Sequence, residues 1–166
     1  MTNPLERLKS LTVADVMAKT VVWVTTRQHM ADVAAILLKH DISSAPVVDE
    51  SGACVGIISA TDFLKRDARD EHVNESGRSR RAWTPDDVAA TYMSTGVRTI
   101  PATASILQAS RIMCSQHVHR LPVVNHEGRP VGIISTMDLI ASLNNAIDEL
   151  ATEGNRGNGG DGGNRG

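Results

Sequence analysis

The sequence repeats itself at a fixed offset. Pro46-Val47-Val48, Gly52, Val55-Gly56-Ile57-Ile58-Ser59 and Asp62 return as Pro122-Val123-Val124, Gly128, Val131-Gly132-Ile133-Ile134-Ser135 and Asp138, each pair 76 positions apart. The same offset aligns Met17 with Met93, Val21 with Val97 and Ile36 with Ile112 without a gap. The unit therefore runs from Val13 to Lys65 and again from Ala89 to Ala141. Units this small bury little surface on their own. With 41% hydrophobic residues among 166, the chain has enough for one compact domain or for two halves sharing a core.

Each unit reads as α-β-α-β-β-α. A short helix is expected first, started by Thr12-Val13-Ala14-Asp15 in one copy and by Thr84-Pro85-Asp86-Asp87 in the other, both of the capping form Ser/Thr-x-x-acid. A β-rich stretch follows, Val21 to Thr25 and Val97 to Ile100. Next comes an amphipathic helix, with Met30, Val33, Ile36 and Leu37 on one stripe and Ile106, Ala109, Ile112 and Met113 on its counterpart. Ser105 with Gln108 three residues later marks the start of the second of these. Hairpins are expected from Ala45–Asp49 into Cys54–Ser59, and from Leu121–Asn125 into Val131–Ser135, each turning at a glycine. A last helix closes each unit. The resulting division is an N-terminal segment 1–12, a first repeat 13–68, a linker and opening helix 69–88, a second repeat 89–145, and a helix end with a tail over 146–166. Arg69 to Trp83, with Arg78, Arg80 and Arg81, reads as a solvated linker rather than a basic patch. Glu153 to Gly166 holds almost only Gly, Asn, Arg and Asp and is expected to be disordered.

Composition excludes several functions. Aromatic residues are 2% of the chain (Trp23, Trp83, Tyr92 and Phe63), too few for the stacking platforms that hold single-stranded nucleic acid. Lys+Arg 17 against Asp+Glu 19 leaves no basic excess for phosphate backbones, so no nucleic-acid partner is expected. Met1 to Lys9 carries Glu6, Arg7 and Lys9 without an apolar leader, and no apolar run reaches the roughly 18 residues of a membrane span. The expectation is a soluble, cytoplasmic protein with no membrane partner. Cys54 and Cys114 are isolated and read as reduced, core-packed thiols. Neither a nucleophile elbow, a P-loop nor a dinucleotide fingerprint is present, so no catalytic residue is assigned and the chain is not expected to be an enzyme.

The chemistry sits in the doubled Gly-Ile-Ile-Ser-x-x-Asp. Ser59 with Asp62, and Ser135 with Asp138, form a strand running into a helix with Ser at the N-cap and Asp at N3. As a capping box this needs no ligand. It also places a hydroxyl and backbone N–H groups at a helix N-terminus, where an anion is stabilised, with a carboxylate nearby suited to a ribose diol. Both readings stand on the residues alone. His117 and His119 would share a face if they lay on one strand, but no third ligand is visible at a helpful spacing and no metal site is assigned.

The doubled Pro-Val-Val, the glycine turn and the Gly-Ile-Ile-Ser-x-x-Asp ending resemble the tandem cystathionine-β-synthase-type (CBS) domain pair, the Bateman module, over Val13 to Leu143. The resemblance implies an α/β fold of two α-β-α-β-β-α repeats packed about a pseudo-twofold axis through their small sheets. It implies clefts between repeats for adenosine compounds (AMP, ADP, ATP, NAD or S-adenosylmethionine) as regulatory ligands, with no resident cofactor required. Carried over by position, Ser59 and Ser135 meet phosphate, and Asp62 and Asp138 accept from ribose hydroxyls. The family's basic residue ahead of the Pro-Val strand is matched by His119 and Arg120, whereas the first copy has Ser43 and Ser44, so the clefts are expected to be unequal. Family members often pair into a disc of four repeats. A homodimer is therefore expected through the small side chains of Ala31, Ala34, Ala35 and Leu38 and of Leu107, Ala109 and Ser110. The function implied is regulation of another polypeptide in response to an adenine nucleotide. The alternative is a ligand-free dimerisation or protein-interaction module.

Overall fold

Gly52 and Gly128 adopt φ of +84° and +77°, a left-handed conformation that favours glycine, and each turns a hairpin. The computed structural model describes residues 3–69 and 83–157. In chain order the elements are α1 (Pro4–Ser10), α2 (Val13–Val16), β1 (Val24–Thr25), α3 (Met30–Lys39), β2 (Ser44–Val48), β3 (Cys54–Ser59) and α4 (Ala60–Arg69). They continue as α5 (Ala89–Tyr92), β4 (Ser94–Thr95), β5 (Ile100–Pro101), α6 (Ile106–Gln116), β6 (Arg120–Val124), β7 (Pro130–Ser135) and α7 (Thr136–Gly157). One sheet has the order β1-β2-β3-β4 and the other β5-β6-β7.

The two hairpins share one register. Ser44 pairs with Ser59 and Pro46 with Ile57 in one, as Arg120 pairs with Ser135 and Pro122 with Ile133 in the other. The amphipathic stripes bury as their spacing requires: Met30, Val33 and Leu37 in α3, and Ile106, Ala109 and Met113 in α6. Asp41 and His117, equivalent by the offset, both take a left-handed φ just past these helices.

The opening segments are exchanged between repeats. Val13 and Met17 pack in the core built by Ile100, Ala109, Leu121, Val123 and Ile134, while Ala89, Tyr92 and Met93 pack in the core of Val24, Met30, Val33, Val47 and Ile58. Backbone bonds repeat the exchange. Val13 N–H donates to Ala104 C=O and Ala89 N–H to Gln28 C=O, both at 2.8 Å. The bridges Thr12↔Ser105 and His29↔Val88 are each other's image under the 76-residue offset. A pseudo-twofold axis therefore relates two halves, each completed by the other's first helix. Gly56 and Gly132 permit this, since a Cβ at either would lie 2.6 Å from the sulfur of Met93 or Met17.

Several sequence expectations are corrected. The second opening helix starts at Ala89, not in Thr84–Asp87. Thr84 and Asp87 form a turn upstream, in which the buried Asp87 carboxylate accepts from Thr84 N–H at 2.8 Å and from Tyr92 Oη–H at 2.6 Å. The offset puts Val88, which has no capping side chain, at the place of Thr12. The β-rich stretches shrink to two-residue strands, because only Val24–Thr25 and Ile100–Pro101 meet a partner strand. Cys114 is exposed rather than core-packed, as it follows the buried Met113 on α6 and points off the buried stripe. His117 closes α6 and the strand begins at Arg120, so His117 and His119 share no strand face. Helix α7 continues beyond Glu153 to Gly157, where the sequence predicted disorder. Residues 158–166, and Arg78, Arg80 and Arg81 of the linker, lie outside the described residues.

Candidate functional site

Each Ser-x-x-Asp motif lies where the last strand of a hairpin runs into a helix. In repeat 2, Asp138 Oδ2 accepts from Ser135 N–H and Ser135 Oγ–H, both at 2.7 Å, and Asp138 N–H donates back to Ser135 Oγ at 3.3 Å. This is a reciprocal capping box at the start of α7. In repeat 1, Asp62 Oδ2 accepts from Ser59 N–H at 2.8 Å and Ser59 Oγ–H at 2.9 Å, and Ser59 Oγ lies 2.8 Å from Thr61 Oγ1.

The aspartates differ at their second oxygen. Asp62 Oδ1 takes Lys65 Nζ at 2.9 Å, and the Asp62 side chain is buried to 2% exposure. The offset puts Ala141 where Lys65 stands, so Asp138 has no such cation, and its Oδ1 meets no partner among the described residues. Asp138 is half-buried. Repeat 2 thus keeps a free carboxylate oxygen for a hydroxyl donor, while repeat 1 has both oxygens engaged.

The helix starts offer fewer free donors than their sequence suggests. Ala60 N–H is taken by Ser43 C=O at 2.9 Å, and Thr136 N–H by His119 C=O at 3.0 Å. His119 thus reaches the motif through its backbone, and its side chain is exposed. Arg120 stands beside Ser135 in the strand register, yet its guanidinium crosses the axis and Nη1 donates to Ser44 Oγ at 3.2 Å. Arg120 is half-buried and forms no ion pair among the described residues. The structure thus brings Ser59, Ser44, Arg120 and Ser135 to one end of the paired hairpins, with Asp62 and Asp138 in the first turn of the helices that follow.

Two participants escaped the sequence reading. Ser44 counted only as a missing basic residue, yet it is the acceptor for Arg120. The two are equivalent by the offset, and a residue near a twofold axis meets its own image, so the repeat carried this signal. Lys65 was legible as Asp-x-x-Lys on a helix. Elsewhere, a cavity of about 200 Å³ between α1, α2 and α7, lined by Pro4, Leu8, Leu11, Ser142 and Ala146 among others, contains none of the six candidate residues. Cys54 is half-buried and burial pushes its thiol up, against a weaker opposing bond to Gly56 C=O, so it stays protonated at neutral pH. No group of three or more metal-ligating side chains is found among the described residues. No helix among them is long and apolar enough to cross a membrane.

Two hairpins, each completed by the other repeat's first helix and each ending in Ser-x-x-Asp, define a tandem α/β repeat pair. The CBS domain model matches residues 13–69 and 87–145, and the chain belongs to the CBS domain family. A protein of Methanocaldococcus jannaschii is 33% identical over 135 residues, which is 80% of this chain and 44% of that protein, so the chain spans about half the length of this relative. Among solved structures, a CBS domain pair in complex with 5′-methylthioadenosine and S-adenosyl-L-methionine superposes with TM-score 0.65 at 26% identity, over 80% of this chain and 98% of that one. CBSX2 in complex with AMP superposes with TM-score 0.64 at 20% identity, over 81% of this chain and 96% of that one. The second likeness is one of fold. CBS pairs of this kind are generally regulatory rather than catalytic, and these two bind adenosine-containing ligands.

Proposed function

We propose that this chain is a regulatory module, not an enzyme, that takes an adenosine-containing ligand between its repeats and, as a cytoplasmic homodimer, alters its contacts with a partner protein. The observation that carries this reading is the free Asp138 Oδ1, half-buried one turn from Ser135 and beside the strand of Arg120. A carboxylate with one oxygen fixed by its own cap and the other open suits a ribose hydroxyl, and Arg120 supplies positive charge for phosphate. Asp62 and Ser59 form the second, weaker half of the site because Lys65 competes for the carboxylate. The solved pairs with S-adenosyl-L-methionine, 5′-methylthioadenosine and AMP support the ligand class.

One observation favours the ligand-free reading. Both serine hydroxyls already bond their aspartates, as pure caps would. A thermal-shift panel of AMP, ADP, ATP, NAD and S-adenosylmethionine, with a guanine nucleotide as control, decides between the two. A ligand at about 100 times its dissociation constant adds roughly 2.7 kcal/mol, a rise of roughly 5–10 °C at this size. No shift with any adenosine compound at millimolar concentration leaves the dimerisation module.

A further inference from the structure

The cavity between α1, α2 and α7 has an image in the other half of the molecule, and there the space is filled. The turns that lead into the two opening helices match: Leu11 N–H donates to Leu8 C=O at 3.3 Å as Asp87 N–H donates to Thr84 C=O at 3.0 Å. By the offset, Leu8, Leu11 and Val16, which line the cavity, stand where Thr84, Asp87 and Tyr92 stand in the other half. Those three close on one another. The Tyr92 ring packs against the core of repeat 1, and its Oη–H donates at 2.6 Å to the buried Asp87 carboxylate, which also accepts from Thr84 N–H. The cavity has aliphatic side chains in all three places, with a valine where the ring would be. A valine does not fill the space of a phenol ring, and a packed interior closes such a gap only in part. About 200 Å³ stays open between the opening segment and α7.

We propose that this cavity is a binding site for a small aromatic molecule, a single flat ring with a short polar substituent, seated where the Tyr92 ring sits in the other half. The size fits, since aliphatic-lined cavities of roughly 150 Å³ take up benzene. The lining fits as well. Leu8, Leu11, Val16 and the buried Ala146 offer apolar faces to the ring, and the exposed ion pair of Arg7 with Glu149 stands ready for the substituent. The cavity is separate from the doubled motif but connected to it. Ser142, buried in the wall that α7 provides, donates from Oγ–H to the Asp138 carbonyl at 2.8 Å. Occupation of the cavity does not require an adenosine compound between the repeats.

The probe is p-cresol, the tyrosine side chain as a free molecule, titrated into the isotope-labelled full chain and followed by amide chemical shifts. Saturable shifts are expected at Leu8, Leu11, Val16 and Ser142, with a dissociation constant of about 1 mM or below for a ligand this small. The fully hydrogenated counterpart of p-cresol, which has the same outline without the flat ring, is expected to bind about tenfold more weakly or worse. Val16→Tyr, which places the ring of the other half into the cavity, and Ala146→Phe, which fills it from α7, are each expected to abolish the shifts while keeping the wild-type circular dichroism. Shifts that do not saturate, or that fall elsewhere on the chain, overturn the site and leave an unliganded void. A folded variant that binds p-cresol as well as the wild type does overturns it too, and equal binding of the hydrogenated ring overturns the aromatic class. If neither variant folds, the position of the wild-type shifts decides alone.

Discussion

Asp62 and Asp138 hold the same place in two copies of one motif, and a single neighbour, Lys65 against Ala141, decides what each has left to offer. Arg120 is the other residue in which the copies part. Its bond to Ser44 is between a cation and a neutral hydroxyl, and it forms no ion pair among the described residues, which leaves its charge for an anion. Arg120→Ala is accordingly expected to weaken AMP by tenfold or more in calorimetry and adenosine by much less. Equal losses for both make the arginine structural. Two surface carboxyls carry a pH signature. The Thr12 hydroxyl and N–H hold Asp15 below its ordinary value, and the Ser51 hydroxyl, with backbone N–H groups, does so for Asp49. Both therefore titrate lower folded than unfolded. Their stabilisation is in place above the unfolded value near 4 and is lost as pH falls through the folded one. Unfolding followed against pH should show the melting temperature falling below about pH 4, and Asp15→Asn should flatten that fall.

At the scale of elements, the exchange of α2 and α5 depends on two strand glycines. At Gly132 an added Cβ would meet Met17 Sδ at 2.6 Å and the Ala18 carbonyl oxygen at 2.8 Å, and backbone cannot give way as a side chain can. Gly132→Ala is expected to cost about 1–3 kcal/mol, read as a melting temperature lower by several degrees. Retention of the wild-type melting temperature would show that the exchange is looser than drawn. The strands, hairpins and amphipathic helices were legible because periodicity and turn glycines act locally. Ser105 caps α6 through Gln108 N–H at 3.1 Å as its spacing foretold. Thr84–Asp87 was misread for an equally local reason: Ser/Thr-x-x-acid closes a turn as readily as it starts a helix, and only the contact of Asp87 with Tyr92 shows which it does.

The whole molecule is two halves that complete each other. Val13, fully buried in the core of repeat 2, and Ala89, fully buried in that of repeat 1, each lie outside the half whose sheet they cover. Losing one buried valine alone forgoes roughly 1.5–3 kcal/mol. Chains 1–76 and 77–166 expressed apart are expected to show no cooperative unfolding alone and to recover it on mixing, followed by circular dichroism. A half that melts cooperatively by itself would contradict the exchange. By itself the sequence determined the repeat, its offset, the order of elements and the four residues Ser59, Asp62, Ser135 and Asp138 of the doubled motif, since each is written in local spacing and recurs. Only the tertiary structure decided that the opening helices trade places and that Arg120 reaches Ser44. Those are contacts across the axis or depend on burial, and no spacing along one chain specifies which of two identical partners a segment will meet.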